Sequence, residues 1–133
     1  MHSIALRLNP QQDLKAELDY IVRQRTIEAA CILTCVGSLS KATLRLANQS
    51  QPSIYKGRFE IVSLTGVMSR HGSHYHIAMA DKTGQTIGGH LLEGCLIYTT
   101  AEIVIGVLPN FSFKREFDEA TGYNELVVYG SGE

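Results

Sequence analysis

Four of the chain's five histidines fall in HGSHYHIAMADKTGQTIGGHLLEG, residues 71 to 94. Imidazole both ligates transition metals and moves protons near neutral pH, so the placement of these side chains separates a reactive site from ordinary sheet polarity. His74 and His76 are two apart in a run that alternates as a strand, so both leave one face while Tyr75 leaves the other. The turn decides where His90 falls. Asp81-Lys82-Thr83-Gly84-Gln85 reads as a three-residue hairpin loop with Gly84 at the left-handed position. Counting outward pairs Ala80 with Thr86, Ala78 with Gly88 and His76 with His90. Opposed residues share a face with Cβ atoms about 5 Å apart, and the diagonal His74 lies about 7 to 8 Å away. A four-residue loop would instead pair His76 with Leu91 and turn His90 to the opposite face, and a bulge at Gly88-Gly89 would also shift the register.

Three converging imidazoles with one free position make an open, catalytic-type zinc site, whereas closed structural sites usually carry four protein ligands. In the competing reading the three histidines bond to sheet neighbours. His71 precedes Gly72 in a loop and is expected to be exposed, and His2 is too distant in sequence to place.

A β-rich frame has to hold these side chains. HSIALRL alternates as a first strand, and Pro10 with Asp13 opens a helix in which Asp13 is the N-cap and Leu14, Leu18, Ile21 and Val22 recur at helical spacing. After Arg25 the pattern is β: AACILTCVGSLS, ATLRLA, IYKGRFEIVSLTGVMS, HYHIAMA, TIGGHLLEG, LIYTTAEIVIGVL, FSFKREF and ELVVYG are rich in β-branched and aromatic residues and broken by Gly, Asn, Asp or Pro. The fold class expected is α+β, mainly antiparallel sheet, with about eight strands and one major helix near the N-terminus. Residues 1–133 form one domain without a linker, and the tail GSGE is expected to be mobile.

Net charge is −1 and the twelve basic residues are scattered, which gives no electrostatic footprint for a nucleic-acid backbone or an anionic membrane. MHSIALRLNPQQD has neither the basic nor the long apolar region of a secretory signal, and no run approaches the roughly 18 apolar residues of a membrane span. A soluble, cytoplasmic protein without a membrane partner is expected. Cys31, Cys35 and Cys95 fit no disulfide framework and read as buried, reduced residues.

Several ordered blocks carry a family resemblance: VGSLSKATLR at 36 to 45, GRFEIVSLTG at 57 to 66, GSHYHIAMAD at 72 to 81, GGHLLEG at 88 to 94 and TTAEIVI at 99 to 105. Together they resemble the plants-and-prokaryotes conserved (PPC) domain over essentially the whole chain. The resemblance implies an α+β fold with a central antiparallel sheet, a homotrimer, and a metal, usually zinc, held by His74, His76 and His90. GRFEIV, which is Gly57, Arg58, Phe59, Glu60, Ile61 and Val62, is similar to the hexapeptide that marks the plant members and is the candidate partner-binding segment. Plant members carry AT-hooks containing R-G-R-P. The nearest string here, Lys56-Gly57-Arg58-Phe59, has Phe where the hook needs Pro, and Met1 leaves no room upstream, so no hook is expected.

Glu93, Glu102 and Arg45 are the catalytic candidates. A half-buried carboxylate beside a zinc-bound water could act as general base or orient a ligand histidine, and Arg45 could hold an anionic ligand. Salt-bridged or solvated side chains are the plainer reading of all three. The glycines form no phosphate-binding fingerprint and read as turn, bulge and close-approach positions. Phe111, Phe113 and Phe117 read as a core-facing edge strand rather than a stacking platform for single-stranded nucleic acid.

The first functional expectation is a homotrimeric, zinc-binding PPC-domain module for assembly or partner recognition, linked to transcription-related complexes as in its plant relatives. The alternative is a small metal-dependent enzyme, by fold-level analogy with acetolactate decarboxylase, which also holds zinc with three histidines. Autonomous DNA binding is the weakest reading, because the charge is scattered and the hook is missing.

Overall fold

The computed structural model describes residues 1–130, and in it the β-rich sequence becomes eight strands and one helix. Of the tail GSGE, expected to be mobile, Gly130 ends the last strand and residues 131–133 lie outside the described residues. In chain order the elements are β1 (His2–Leu8), α1 (Leu14–Gln24), β2 (Ala30–Arg45), β3 (Ser53–Ser69), β4 (Gly72–Ala80), β5 (Thr86–Leu91), β6 (Leu96–Val107), β7 (Phe111–Asp118) and β8 (Tyr123–Gly130). No helix among the described residues is long and apolar enough to cross a membrane.

Helix α1 begins where Asp13, in extended conformation, accepts from the Ala16 backbone N–H at 3.0 Å, which satisfies one of the first-turn donors. The other carboxylate oxygen of Asp13 accepts from the Gly94 N–H at 2.7 Å, tying the helix start to the chain just beyond β5. Leu14, Leu18 and Val22 recur every fourth residue and are buried. Burial of each contributes about 2 kcal/mol. On the same helix, Asp19 is the second anchor: it accepts from the Ser73 hydroxyl at 2.6 Å and the Tyr75 hydroxyl at 2.9 Å, both on β4.

Six strands form an antiparallel sheet in the order β1-β6-β2-β3-β4-β5. The sheet curls far enough that β5 also pairs with the end of β2, through Leu44 opposite Leu91 and Arg45 opposite His90. The segments AACILTCVGSLS and ATLRLA, expected as separate strands, are one sixteen-residue strand interrupted by a bulge between Leu39 and Lys41. A bulge takes up an extra residue and bends the strand without ending it, which lets one long strand serve both sides of the curled sheet. Alternate residues of these strands, among them Leu39, Leu44, Met79, Leu91, Ile97 and Ile105, fill one core.

Strands β7 and β8 are not an edge of that sheet. They form a separate two-stranded ribbon, and Phe111 and Phe117 are 44% and 66% exposed, which corrects the expectation of a core-facing strand. The period of two was read correctly. Which face it addressed depended on how the ribbon sits against β3 and β4, which its own alternation does not encode. The ribbon is tied down by Glu28, whose carbonyl accepts from the Phe113 N–H at 2.8 Å and whose carboxylate accepts from the Ser112 hydroxyl at 2.7 Å.

Candidate metal centre

The β4–β5 hairpin closes as its sequence specifies. Asp81 N–H donates to the Gln85 carbonyl at 2.9 Å, Gly84 takes φ 84°, and the register runs Ala80 with Thr86, Ala78 with Gly88 and His76 with His90. There is no slip at Gly88-Gly89. These two positions are instead close approaches on either side of β5: a Cβ on Gly88 would lie 2.5 Å from the Ile77 carbonyl, and one on Gly89 would lie 2.8 Å from the Arg45 carbonyl. Backbone packed this tightly carries β5 between β4 and the end of β2, and it delivers His90 to the histidines of β4.

His74, His76 and His90 converge. One ring nitrogen from each lies within 4.8 Å of the others, and the ring centroids are 4.8, 4.9 and 5.8 Å apart. The Nε2 atoms of His74 and His76 are 3.2 Å apart. A tetrahedral zinc with bonds of about 2.05 Å separates its ligand nitrogens by about 3.3 Å, so this pair fits one first-row cation without rearrangement. The three ligand nitrogens lie within 4.8 Å of one another, so His90 would move inward to share that ion.

Electrostatics favour the ligand form of the ring. Burial, then the Arg45 charge and the neighbouring imidazoles, push His90 down to about 4. His74 is lowered mainly by burial, then by His76 and Arg115. A neutral imidazole keeps the lone pair that a metal needs.

His71 stands apart from the cluster, with its ring 3.0 Å from the Glu28 carboxylate at the ribbon anchor. Among the catalytic candidates, Arg45 is in place: it lies in register with His90 and lines the same cleft, of about 540 Å³, as the three histidines. Asn48, Ser63 and Thr65 add polar groups to that cleft. Glu93 is exposed in a bend beyond the end of β5, and Glu102 is exposed in β6 opposite Arg7 and Val36. Neither lines the cleft. Arg115 and Glu125 of the ribbon do reach the centre, in an adjoining cleft shared with Arg45, His74 and His90. No local spacing in the sequence points to them.

Gly57 to Val62 lie in β3 where its pairing slips twice, opposite the Leu39–Lys41 bulge of β2 and between Ile61 and Ser63 on the β4 side. Val62 is pushed out and is 57% exposed, and the Arg58 guanidinium sits 4.0 Å above the Tyr98 ring.

The model of the Plants and Prokaryotes Conserved (PCC) domain matches residues 1–109. The chain belongs to this family. A hypothetical protein from Salmonella cholerae-suis has the same fold, with a TM-score of 0.94 and 40% identity, covering 97% of this chain and 94% of that one. A metal-containing protein from Archaeoglobus fulgidus superposes with a TM-score of 0.82 and 26% identity, over 96% of this chain and 94% of the other. The bifunctional protein GlmU of Synechococcus sp. (strain JA-2-3B'a(2-13)) is 53% identical over 92% of this chain, which spans only 20% of that relative's length. The match to that relative is thus to a segment of a longer protein.

Proposed function

We propose that this PPC-domain chain is a zinc-binding module of the cytoplasm that assembles as a homotrimer and acts by recognising a protein partner. The convergence of His74, His76 and His90 carries the reading, since three imidazoles with ring nitrogens within 4.8 Å of one another suit zinc among the divalent cations. The metal-containing relative from Archaeoglobus fulgidus supports it. Zinc would lock β4, β5 and, through the Arg45–His90 pair, the end of β2. Exposed Leu33, Val36 and Ile54 on the sheet supply apolar surface for self-association, and Gly57 to Val62 form the recognition segment. A module role agrees with the matching fifth of a longer bifunctional protein. The association with DNA would come through partners, because the basic residues of this chain form no run.

The cleft beside the histidines favours a second reading, a metal-dependent enzyme. Its polar lining could hold a substrate, and the carboxylate that reaches the centre, Glu125, lines the adjoining cleft instead. The test of the first reading is elemental analysis with light scattering on the wild type and on His74→Ala, His76→Ala, His90→Ala and His71→Ala. One zinc per chain and a trimer mass are expected for the wild type and His71→Ala, with zinc lost in the other three. Stoichiometric zinc in His90→Ala, or none in a wild type supplied with zinc, would overturn the metal assignment.

A further inference from the structure

Two arginines from distant parts of the chain flank the histidine cluster. Arg45 arrives at the end of β2, in register with His90. Arg115 arrives on the ribbon, its side chain lying over the start of β4 so closely that a Cβ on Gly72 would meet its Cγ at 3.0 Å. Both line one cleft of about 510 Å³ together with His74 and His90. Neither guanidinium has a carboxylate within ion-pairing distance among the described residues, where the ion pairs are Lys15–Asp19, Arg70–Glu28 and His71–Glu28. Glu125 offsets part of this charge in the same cleft, and the balance stays positive.

We propose that this cleft binds a small oxyanion, a carboxylate or phosphate group, with one oxygen directed to the open position of the metal and the others held by Arg45 and Arg115. The inference rests on the metal reading above and adds the class of ligand. Three histidines leave a divalent cation one free coordination position and no compensating negative charge. Arginine presents a planar fork that matches carboxylate and phosphate oxygens, and its weak hydration makes it the cation of choice in a partly enclosed site. Placing two such forks beside an uncompensated cation opposes metal binding by itself. An anion that bridges cation and guanidinium removes the conflict.

The test is titration of inorganic phosphate and, separately, succinate into the cobalt-loaded full chain, followed by the visible spectrum of the cobalt centre, with metal content measured on the same samples. Saturable spectral change with at least one probe is expected, weakened about tenfold or more in Arg45→Gln and in Arg115→Gln at unchanged metal content. The tighter probe distinguishes a tetrahedral phosphate from a planar carboxylate ligand. Full metal loading with no saturable change for either probe up to about 10 mM, or with affinities that both variants leave unmoved, overturns the anion site while the metal centre stands. Failure to take up metal overturns the metal reading and this proposal with it.

Discussion

His76 and His90 face each other across β4 and β5, and the distance between them along the chain is spanned by a turn whose tightness depends on Gly84. The pairing places two imidazoles on one surface. Two kinds of glycine maintain it, by different physics. Gly84 is needed for its φ of 84° and has nothing within 4 Å of where a Cβ would stand, whereas Gly89 is needed because a Cβ would press on the Arg45 carbonyl.

Gly84→Ala is therefore expected to lose about 1 to 2 kcal/mol of stability, the cost of a left-handed residue, while keeping register and metal content. Gly89→Ala should lose about 1 to 3 kcal/mol by overpacking and should also lose metal, because β5 must move away from β2 and take His90 with it. Denaturant midpoints and elemental analysis on both variants separate the two effects. Equal metal content in both would show that close packing at Gly89 does not position His90.

The metal-free protein should lose stability as pH falls through the range set by His90. Its folded value is about 4, below the unfolded imidazole value of about 6.5. The unfolded chain therefore binds the proton first, and the contribution of this group is fully present above about pH 6.5 and is lost as pH falls towards 4. Melting temperatures recorded across that interval should fall more steeply for the wild type than for His90→Gln. Parallel curves would contradict the assignment.

Tyr75 points away from the histidines and fixes the strand that bears them, donating to Asp19 from an almost fully buried position. Tyr75→Phe should cost about 1 kcal/mol, since one bond is lost and Asp19 keeps Ser73 and Lys15. Asp19→Ala strands both hydroxyls and should cost about 2 kcal/mol or more. Chemical denaturation of the two variants and their double mutant measures the coupling.

The isolated chain is expected to bind A·T-rich duplex only weakly at about 150 mM salt, because phosphate contacts require clustered cations. Anisotropy titrations at several salt concentrations check this. Submicromolar binding that depends on sequence would contradict it.

The sequence made His74, His76 and His90 legible because a period of two and one turn place all three, and both are local properties. The N-cap at Asp13 and the apolar stripe of α1 were legible for the same reason. Arg115 was not. It reaches the centre because the ribbon is anchored to Glu28 and Ser69, through contacts between residues far apart in sequence. The ribbon's own alternation could not say that Phe117 would face solvent. For Glu93 the strand pattern ran on past the end of β5, and the chain turns away after Leu91.

The Arg45–His90 pairing has a kinetic meaning as well. It joins the end of β2 to β5 only after β3, β4 and three reversals of the chain are in place, so the entropy of closing that loop is recovered late in folding. We expect such a contact to form after the folding transition state, which a low φ-value for Arg45→Ala would check. A cation gripped by all three histidines would then leave the rate of folding nearly unchanged and slow unfolding instead, so that the centre prolongs the lifetime of the native chain.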